Sequence, residues 1–190
     1  MGAIKKPLLV KLIIGILCGD PKFMDHVRPI LSQKFGKEEE ILPLFPFVFT
    51  NYYEEEIGDK PLRAFLSYER LISREEIVDI KLWTNDLELE IAKEQGTGEK
   101  RPINLDPGYM TLGQFFLATT KDQRQRVYIR DGIFVEPTLY FQAGHFHPFD
   151  WTYRDYQSET YIEYLEKVRQ KLAYQHATGK PYRERSTPLK

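Results

Sequence analysis

The chain is poor in the features that announce most functions. It has one cysteine, Cys18, in 190 residues, which excludes a disulfide scaffold and a cysteine-based zinc site and suits a reducing cytoplasm. Neither charge dominates: 27 Lys and Arg stand against 28 Asp and Glu, a formal charge of −1, so the balance gives no reason to expect a nucleic-acid partner. No apolar run is long. Leu8 to Cys18 is the longest and Lys11 interrupts it, whereas a membrane span needs about 20 apolar residues. Leu17 before Cys18 argues against a lipoprotein leader, and Lys6 four residues after Gly2 argues against myristoylation. Gly96-Thr97-Gly98-Glu99-Lys100 lacks the spacing of a phosphate loop, and Asp20 puts negative charge at the Gly15–Gly19 turn. No Ser-His-Asp or Glu-x-x-His arrangement is legible.

What is present is a chain 42% hydrophobic and 14% aromatic, too apolar for disorder and without low-complexity tracts or repeats. Its length fits one α+β domain over residues 1–178, followed by a polar tail over 179–190 that is expected to be mobile. Leu8 to Leu17 reads as a strand buried on both faces. Asp20 and Pro21 then start a helix that carries Phe23, Met24, Val27, Ile30, Leu31 and Phe35 inward, with a kink or a division into two short pieces expected at Pro29. Ile41 to Thr50 reads as an edge strand because of Pro43 and Pro46, and Asn51 to Gly58 as one helical turn. Leu62 to Leu71 alternates as a third strand. Ser73 and Glu76 form a capping box for a helix that buries Ile77, Ile80, Leu87 and Ile91 and ends at the Gly96–Gly98 loop. A fourth strand begins at Pro102 to Leu105.

That order predicts a ferredoxin-like split βαβ core, βαββαβ, extended by a β-meander and a C-terminal helix, with an α/β mixed sheet as the alternative. A short helix is expected over Thr111 to Lys121. Asp131-Gly132 signals a hairpin between Val127–Ile129 and Ile133–Phe141, and Ala143-Gly144 a second turn before His145 to Phe149. A two-residue turn at Asp131-Gly132 places Tyr128 on the face of Val135, and Val127 on the face of Phe134 and Glu136; one extra residue would exchange the faces. The last helix starts near Ser158 and buries Tyr161, Leu165, Val168 and Leu172.

Chemistry concentrates in the second half. Asn104 and Asp106 are two apart on a strand and share a face, just before a Pro107-Gly108 turn into a helix that Thr111 caps. A carboxylate at such a strand end is well placed for a ligand, although Asp before Pro-Gly also serves simply to bind the turn. Glu136 is a candidate base, and Lys121, Arg126 and Arg130 are candidates to neutralise phosphate or carboxylate; each also fits ordinary surface charge. His145 and His147 form a His-x-His pair, with Glu136 or Asp150 as carboxylate partners for a metal, against a reading as surface histidines beside a turn. Cys18 reads as a small buried residue rather than a nucleophile. Trp151, Tyr153 and Tyr156 form an aromatic group with Asp150, Arg154 and Asp155, suited either to stacking a ring or to satellite core.

The segments FPFVFTNYYEEE (Phe45 to Glu56), KLWTND (Lys81 to Asp86), INLDPGYMTLGQFFLATTKD (Ile103 to Asp122), DGIFVEPTLYF (Asp131 to Phe141) and DWTYRDY (Asp150 to Tyr156) together resemble an uncharacterised bacterial family, a domain of unknown function whose members are often labelled "GTP-binding protein". The resemblance covers about Leu8 to Tyr174. It implies a one-domain cytoplasmic protein of bacteria or archaea and brings no activity or cofactor with it. The guanine-nucleotide motifs that can be tested are absent from this sequence.

The leading expectation is a site for a small anionic metabolite or nucleotide. It joins Asn104, Asp106, Tyr109, Lys121, Arg126, Glu136, Thr138, Trp151 and Tyr153, with Asp106 and Glu136 as acid and base in a hydrolase-type reaction. No nucleic-acid or membrane partner is called for, and the cofactor is unknown. The alternative is a protein-interaction module without chemistry. The first depends on Asp106 and Glu136 opening onto one hollow.

Overall fold

A computed structural model describes residues 2–50, 57, 58, 60–96 and 101–183. The expected turn over Asn51 to Gly58, the Thr97–Lys100 loop and the end of the tail lie mostly outside that set. The elements are β1 (Val10–Cys18), α1 (Pro21–Phe35), β2 (Glu38–Pro46), β3 (Leu62–Ile72), α2 (Glu76–Glu94), β4 (Ile103–Met110), β5 (Gln114–Thr119), β6 (Val127–Arg130), β7 (Ile133–Gln142), β8 (His145–Pro148), a 3₁₀ turn (Arg154–Gln157) and α3 (Glu159–Thr178). The strands form one curled sheet in the order β2-β3-β1-β4-β5-β7-β6, with β8 also paired to β7. Every neighbouring pair is antiparallel, so the sheet is not the mixed one of the alternative reading.

All nine residues of β1 are buried, because helices cover both faces of the sheet at its centre. Val10, Leu12, Ile14, Ile16 and Cys18 face α1 and α2 in one core, while Ile13 faces α3 in a second core with Phe65, Met110, Phe115 and Leu165. Removing such a Leu or Ile side chain from water is worth roughly 1.5–3 kcal/mol, so this strand and its two covers anchor the fold. The helix faces follow their apolar spacing. Phe23, Met24, Val27, Leu31 and Phe35 are buried on α1, Ile77, Ile80, Leu87 and Ile91 on α2, and Tyr161, Leu165, Val168 and Leu172 on α3. Asp20 caps α1 by accepting from the Lys22 N–H at 2.9 Å. Glu76 completes its half of the capping box by accepting from the Ser73 N–H at 2.7 Å.

Several expectations are corrected. Pro29 does not divide α1, which runs unbroken through it. The second strand starts earlier than Ile41, at Glu38, because the acidic run finds partners. Arg28 pairs with Glu38 at 2.6 Å, Lys11 with Glu39 at 2.6 Å and Lys171 with Glu40 at 2.5 Å. No helix forms over Thr111 to Lys121. Phe115 and Leu117 turn into the second core while Phe116 packs against the first, a period-two pattern that makes β5 a strand. Thr111 caps a tight turn rather than a helix, its hydroxyl accepting from the N–H groups of Gly113 (3.2 Å) and Gln114 (2.9 Å). Both hairpin turns use the expected residues, with positive φ at Asp131 (51°), Gly132 (76°), Ala143 (51°) and Gly144 (91°). A register shift between Tyr128 and Arg130 then pairs Val127 with Val135 and Tyr128 with Phe134. Val127 and Tyr128 are therefore exchanged between faces relative to the two-residue reading, while Arg130 keeps its expected pairing with Ile133.

Candidate functional site

β4 does not turn at Pro107-Gly108; it runs straight through, paired with β1 from Ile103 to Met110. On its other edge it meets β5 only from Gly108 to Met110. Pro107 has no N–H to offer a ladder. Gly108 lets β5 come close: a Cβ there would sit 2.4 Å from the Phe116 carbonyl oxygen. Below that contact the two strands part, and a cleft of about 720 Å³ opens between them, within the size range of small-molecule sites.

The bare edge of β4 is finished by side chains of α2. The Leu105 N–H donates to Glu88 Oε1 at 2.5 Å, and the Leu105 carbonyl accepts from Lys81 Nζ at 2.9 Å. Lys81 and Glu88 are seven residues apart, two turns on one helix face. The remaining walls come from the end of β5 and its loop (Leu117 to Lys121, Gln123, Arg126), from Glu136 of β7, from Phe47 and Phe49, and from Tyr153 to Tyr156.

Two charge clusters organise the interior. Arg63 of β3 is buried and lies between two carboxylates, Nη1 to Asp106 at 2.9 Å and Nη2 to Asp155 at 3.5 Å, with its guanidinium over the rings of Phe47 and Phe65. Burial opposes the charge on Asp106, but Arg63 and Lys81 outweigh it and hold that carboxyl below its ordinary value. At Asp155 burial wins over Arg63, and the carboxyl is pushed up. One guanidinium thus serves an ionised carboxylate that is a quarter open to the cleft and a second that resists ionisation. In the second cluster each nitrogen of the Arg126 guanidinium has a partner: Nε to Glu136 at 2.8 Å, Nη1 to the Lys121 carbonyl at 2.9 Å and Nη2 to the Tyr153 hydroxyl at 2.9 Å. Glu136 also accepts from Gln125 at 3.2 Å. Farther along, Arg101 pairs with Glu88 at 2.9 Å, and burial raises the Glu88 carboxyl despite Lys81, the Leu105 N–H and Arg101.

The structure brings Asn104, Asp106, Lys121, Arg126, Glu136 and Tyr153 to this one cleft. It leaves three expected members outside the lining. Tyr109 stacks on Phe116 at 4.8 Å in the first core, since its odd position on β4 puts it opposite Asn104 and Asp106. Thr138 is buried, and its carbonyl accepts from the Thr152 hydroxyl at 2.6 Å. Trp151 lies parallel to Phe149 at 4.9 Å, with its indole N–H on the Pro137 carbonyl. Arg130 is drawn away by Asp79 and Asp131. His145 contacts Glu166, and His147 the Gln142 carbonyl. Among the described residues no group of three His, Cys, Asp or Glu is placed to hold a metal ion. Cys18 is buried at the end of β1, where burial pushes its thiol up to about 11, so it is no nucleophile.

Sequence reasoning missed Arg63, Lys81, Glu88, Arg101 and Asp155 as members of the site. A signal existed for two of them. Lys81 and Glu88 interrupt the apolar face that Ile77, Ile80, Leu87 and Ile91 define on α2, and charged residues on a core-facing stripe need partners.

A family model, Domain of unknown function (DUF4416), matches residues 8–172, and the chain belongs to that family. No curated protein and no solved structure matches the chain. Among the described residues no helix is long and apolar enough to cross a membrane.

Proposed function

We propose that the cleft binds a small anionic metabolite or nucleotide and acts on it by hydrolase-type chemistry. The observation that carries this reading is the lining. Arg63, Lys81, Arg101, Lys121, Arg126 and Arg154 face four carboxylates, Glu88, Asp106, Glu136 and Asp155, in a chain whose formal charge is −1. Cationic excess gathered in one hollow attracts anions and concentrates them there. Phe47, Phe49, Leu89 and Leu117 supply an apolar wall beside it.

Within this reading Asp106 is the base, ionised and open to the cleft. Asp155, held toward its neutral form, suits the acid better than Glu136, whose carboxylate is committed to Arg126. Water gives its proton to Asp106 and attacks the electrophilic centre, while Asp155 delivers its proton to the departing oxygen. Glu136 then positions Arg126. A thermal-shift panel of nucleotides and sugar phosphates tests the binding. A ligand at 100 times its Kd adds about 2.7 kcal/mol, or roughly 5–10 °C for a chain of this size. No shift with any member overturns the reading. Hydrolysis of the ligand that shifts the protein is expected to be lost in Asp106→Asn and Asp155→Asn while the shift persists.

The strand order β2-β3-β1-β4, with α1 and α2 on one face, supports placing this site on a ferredoxin-like split βαβ unit. One observation favours the interaction-module reading: Val127, Tyr128 and Ile129 on β6, at the end of the sheet, are about half exposed. Unpaired edges with apolar side chains invite a partner strand. Loss of a captured partner on Ile129→Lys, with the thermal shifts unchanged, would favour that role.

A further inference from the structure

Among the described residues five lysines or arginines are buried: Lys11, Arg63, Lys81, Arg126 and Lys171. Four have a carboxylate within ion-pair distance. Lys11 has Glu39 at 2.6 Å, Arg63 has Asp106 at 2.9 Å, Arg126 has Glu136 at 2.8 Å and Lys171 has Glu40 at 2.5 Å. Among the described residues Lys81 is the exception. The residue is 7% exposed, and its ammonium makes one hydrogen bond, to the neutral Leu105 carbonyl. An ammonium carries three donors, and buried charged donors left without a hydrogen-bond partner are costly. The neighbouring carboxylates are committed elsewhere: Glu88 to the Leu105 N–H and Arg101, Asp106 to Arg63. Lys81 also lines the cleft, so the space its missing partner would fill is open to a ligand.

We propose that Lys81 is the anchor for a phosphate group, which enters between the bare edge of β4 and α2 and accepts from the donors of its ammonium that no described carboxylate reaches. The inference rests on the cleft being a ligand site and names the charged part of that ligand. A dianion is favoured over a single carboxylate because the lining holds two more cationic side chains than carboxylates. Terminal phosphate oxygens accept several hydrogen bonds at once, matching the unused donors of one ammonium. The rival account makes Lys81 only a brace for the Leu105 carbonyl, standing in for the strand that β5 fails to supply.

The two accounts differ in the ligand-free protein. If the unused donors of Lys81 serve a ligand, ligand-free Lys81→Met melts within a few degrees of the parent. If Lys81 is chiefly a brace, the variant melts well below it. The experiment is calorimetric titration of the full chain with inorganic phosphate, pyrophosphate and malonate at matched ionic strength, alongside ligand-free melting curves. Parent, Lys81→Met, Lys81→Arg and Arg126→Met are compared. The expected result is phosphate or pyrophosphate binding at least tenfold weaker in Lys81→Met and within a few-fold of the parent in Lys81→Arg, with malonate the poorer ligand throughout. Binding unchanged in Lys81→Met but lost in Arg126→Met would overturn the role of Lys81 and leave the cleft reading standing. Malonate binding as tightly as phosphate would overturn the phosphate assignment. A parent that binds none of the three would end this inference, while a shift with an organic member of the wider panel would still sustain the cleft.

Discussion

Replacing Arg63 by methionine keeps most of the side-chain volume and removes the guanidinium that Asp106 and Asp155 share. Breaking a buried pair from one side costs about 3–5 kcal/mol, because the remaining charge stays without a partner. Asp106 is a quarter open to the cleft, so water relieves part of that cost and about 3 kcal/mol is expected. Asp155 adds little, since its carboxyl already resists ionisation. For a chain of this length the loss lowers Tm by roughly 6–12 °C. Urea unfolding followed by circular dichroism reads the same quantity at fixed pH. The sign with pH follows from Asp106. Its folded value lies below the unfolded one, about 3.9, so in the parent its contribution is complete above that value and is lost as pH falls through the folded one. Without Arg63 the carboxyl titrates higher, and the penalty of Arg63→Met shrinks as pH is lowered from 7 toward 4. In an Asp106→Asn background the same substitution is expected to cost at least 1 kcal/mol less, the coupling of a contacting pair. A penalty that is equal in both backgrounds and flat with pH would refute the assignment of Arg63 as the counter-ion of Asp106.

Three further outcomes follow from the same geometry. Asp155 has a raised carboxyl, so its effect has the opposite sign: stability is complete below the unfolded value and declines as pH rises from there through the folded one. Asp155→Asn should remove that decline, gaining on the parent between acid and neutral pH in urea unfolding; a loss above about 1 kcal/mol at pH 7 would contradict it. Gly108→Ala sets a methyl 2.4 Å from the Phe116 carbonyl oxygen and 2.9 Å from Phe115 Cζ. It should cost about 1–3 kcal/mol and speed amide exchange at the β4–β5 contact, and unchanged exchange would show that the two strands do not need this close approach. Cys18, buried with its thiol pushed up to about 11, should stay unreactive toward an aromatic disulfide reagent until the chain unfolds; rapid labelling of the native protein would place that thiol at the surface.

Local patterning made the first half of the fold legible. The unbroken apolar run of β1, the Asp20–Pro21 start and the spacing on α1 and α2 each act within one element, and each depends on periodicity. The site was legible only where its residues share a strand or a loop with an evident pattern, as Asn104 and Asp106 do. Arg63 was hidden because alternation on β3 marks it only as an outward residue; it lies on the face away from α1 and α2, and what covers that face comes from about ninety residues later, at Asp155. The helix expected after Pro107-Gly108 failed for a related reason. Pro-Gly is a strong turn signal in isolation, yet between β1 and β5 it is used as a strand segment that lacks one donor and one side chain.

Those two absences give the cleft its position. A complete β4–β5 ladder would pair Leu105 with a strand, leaving Lys81 and Glu88 without their main-chain partners on the inner face of α2. Because β5 stays bound only above Gly108, the Leu105 N–H and carbonyl become available, and the helix answers with one cation and one carboxylate. The carboxylate is pushed toward neutrality by burial, while the lysine keeps no carboxylate within ion-pair distance among the described residues. A sheet that parts at one residue pair therefore creates both the volume and the local charge excess. The same pattern that costs the fold a stretch of ladder leaves a cationic wall facing the opening, and filling β4's bare edge with a strand would be expected to abolish both together.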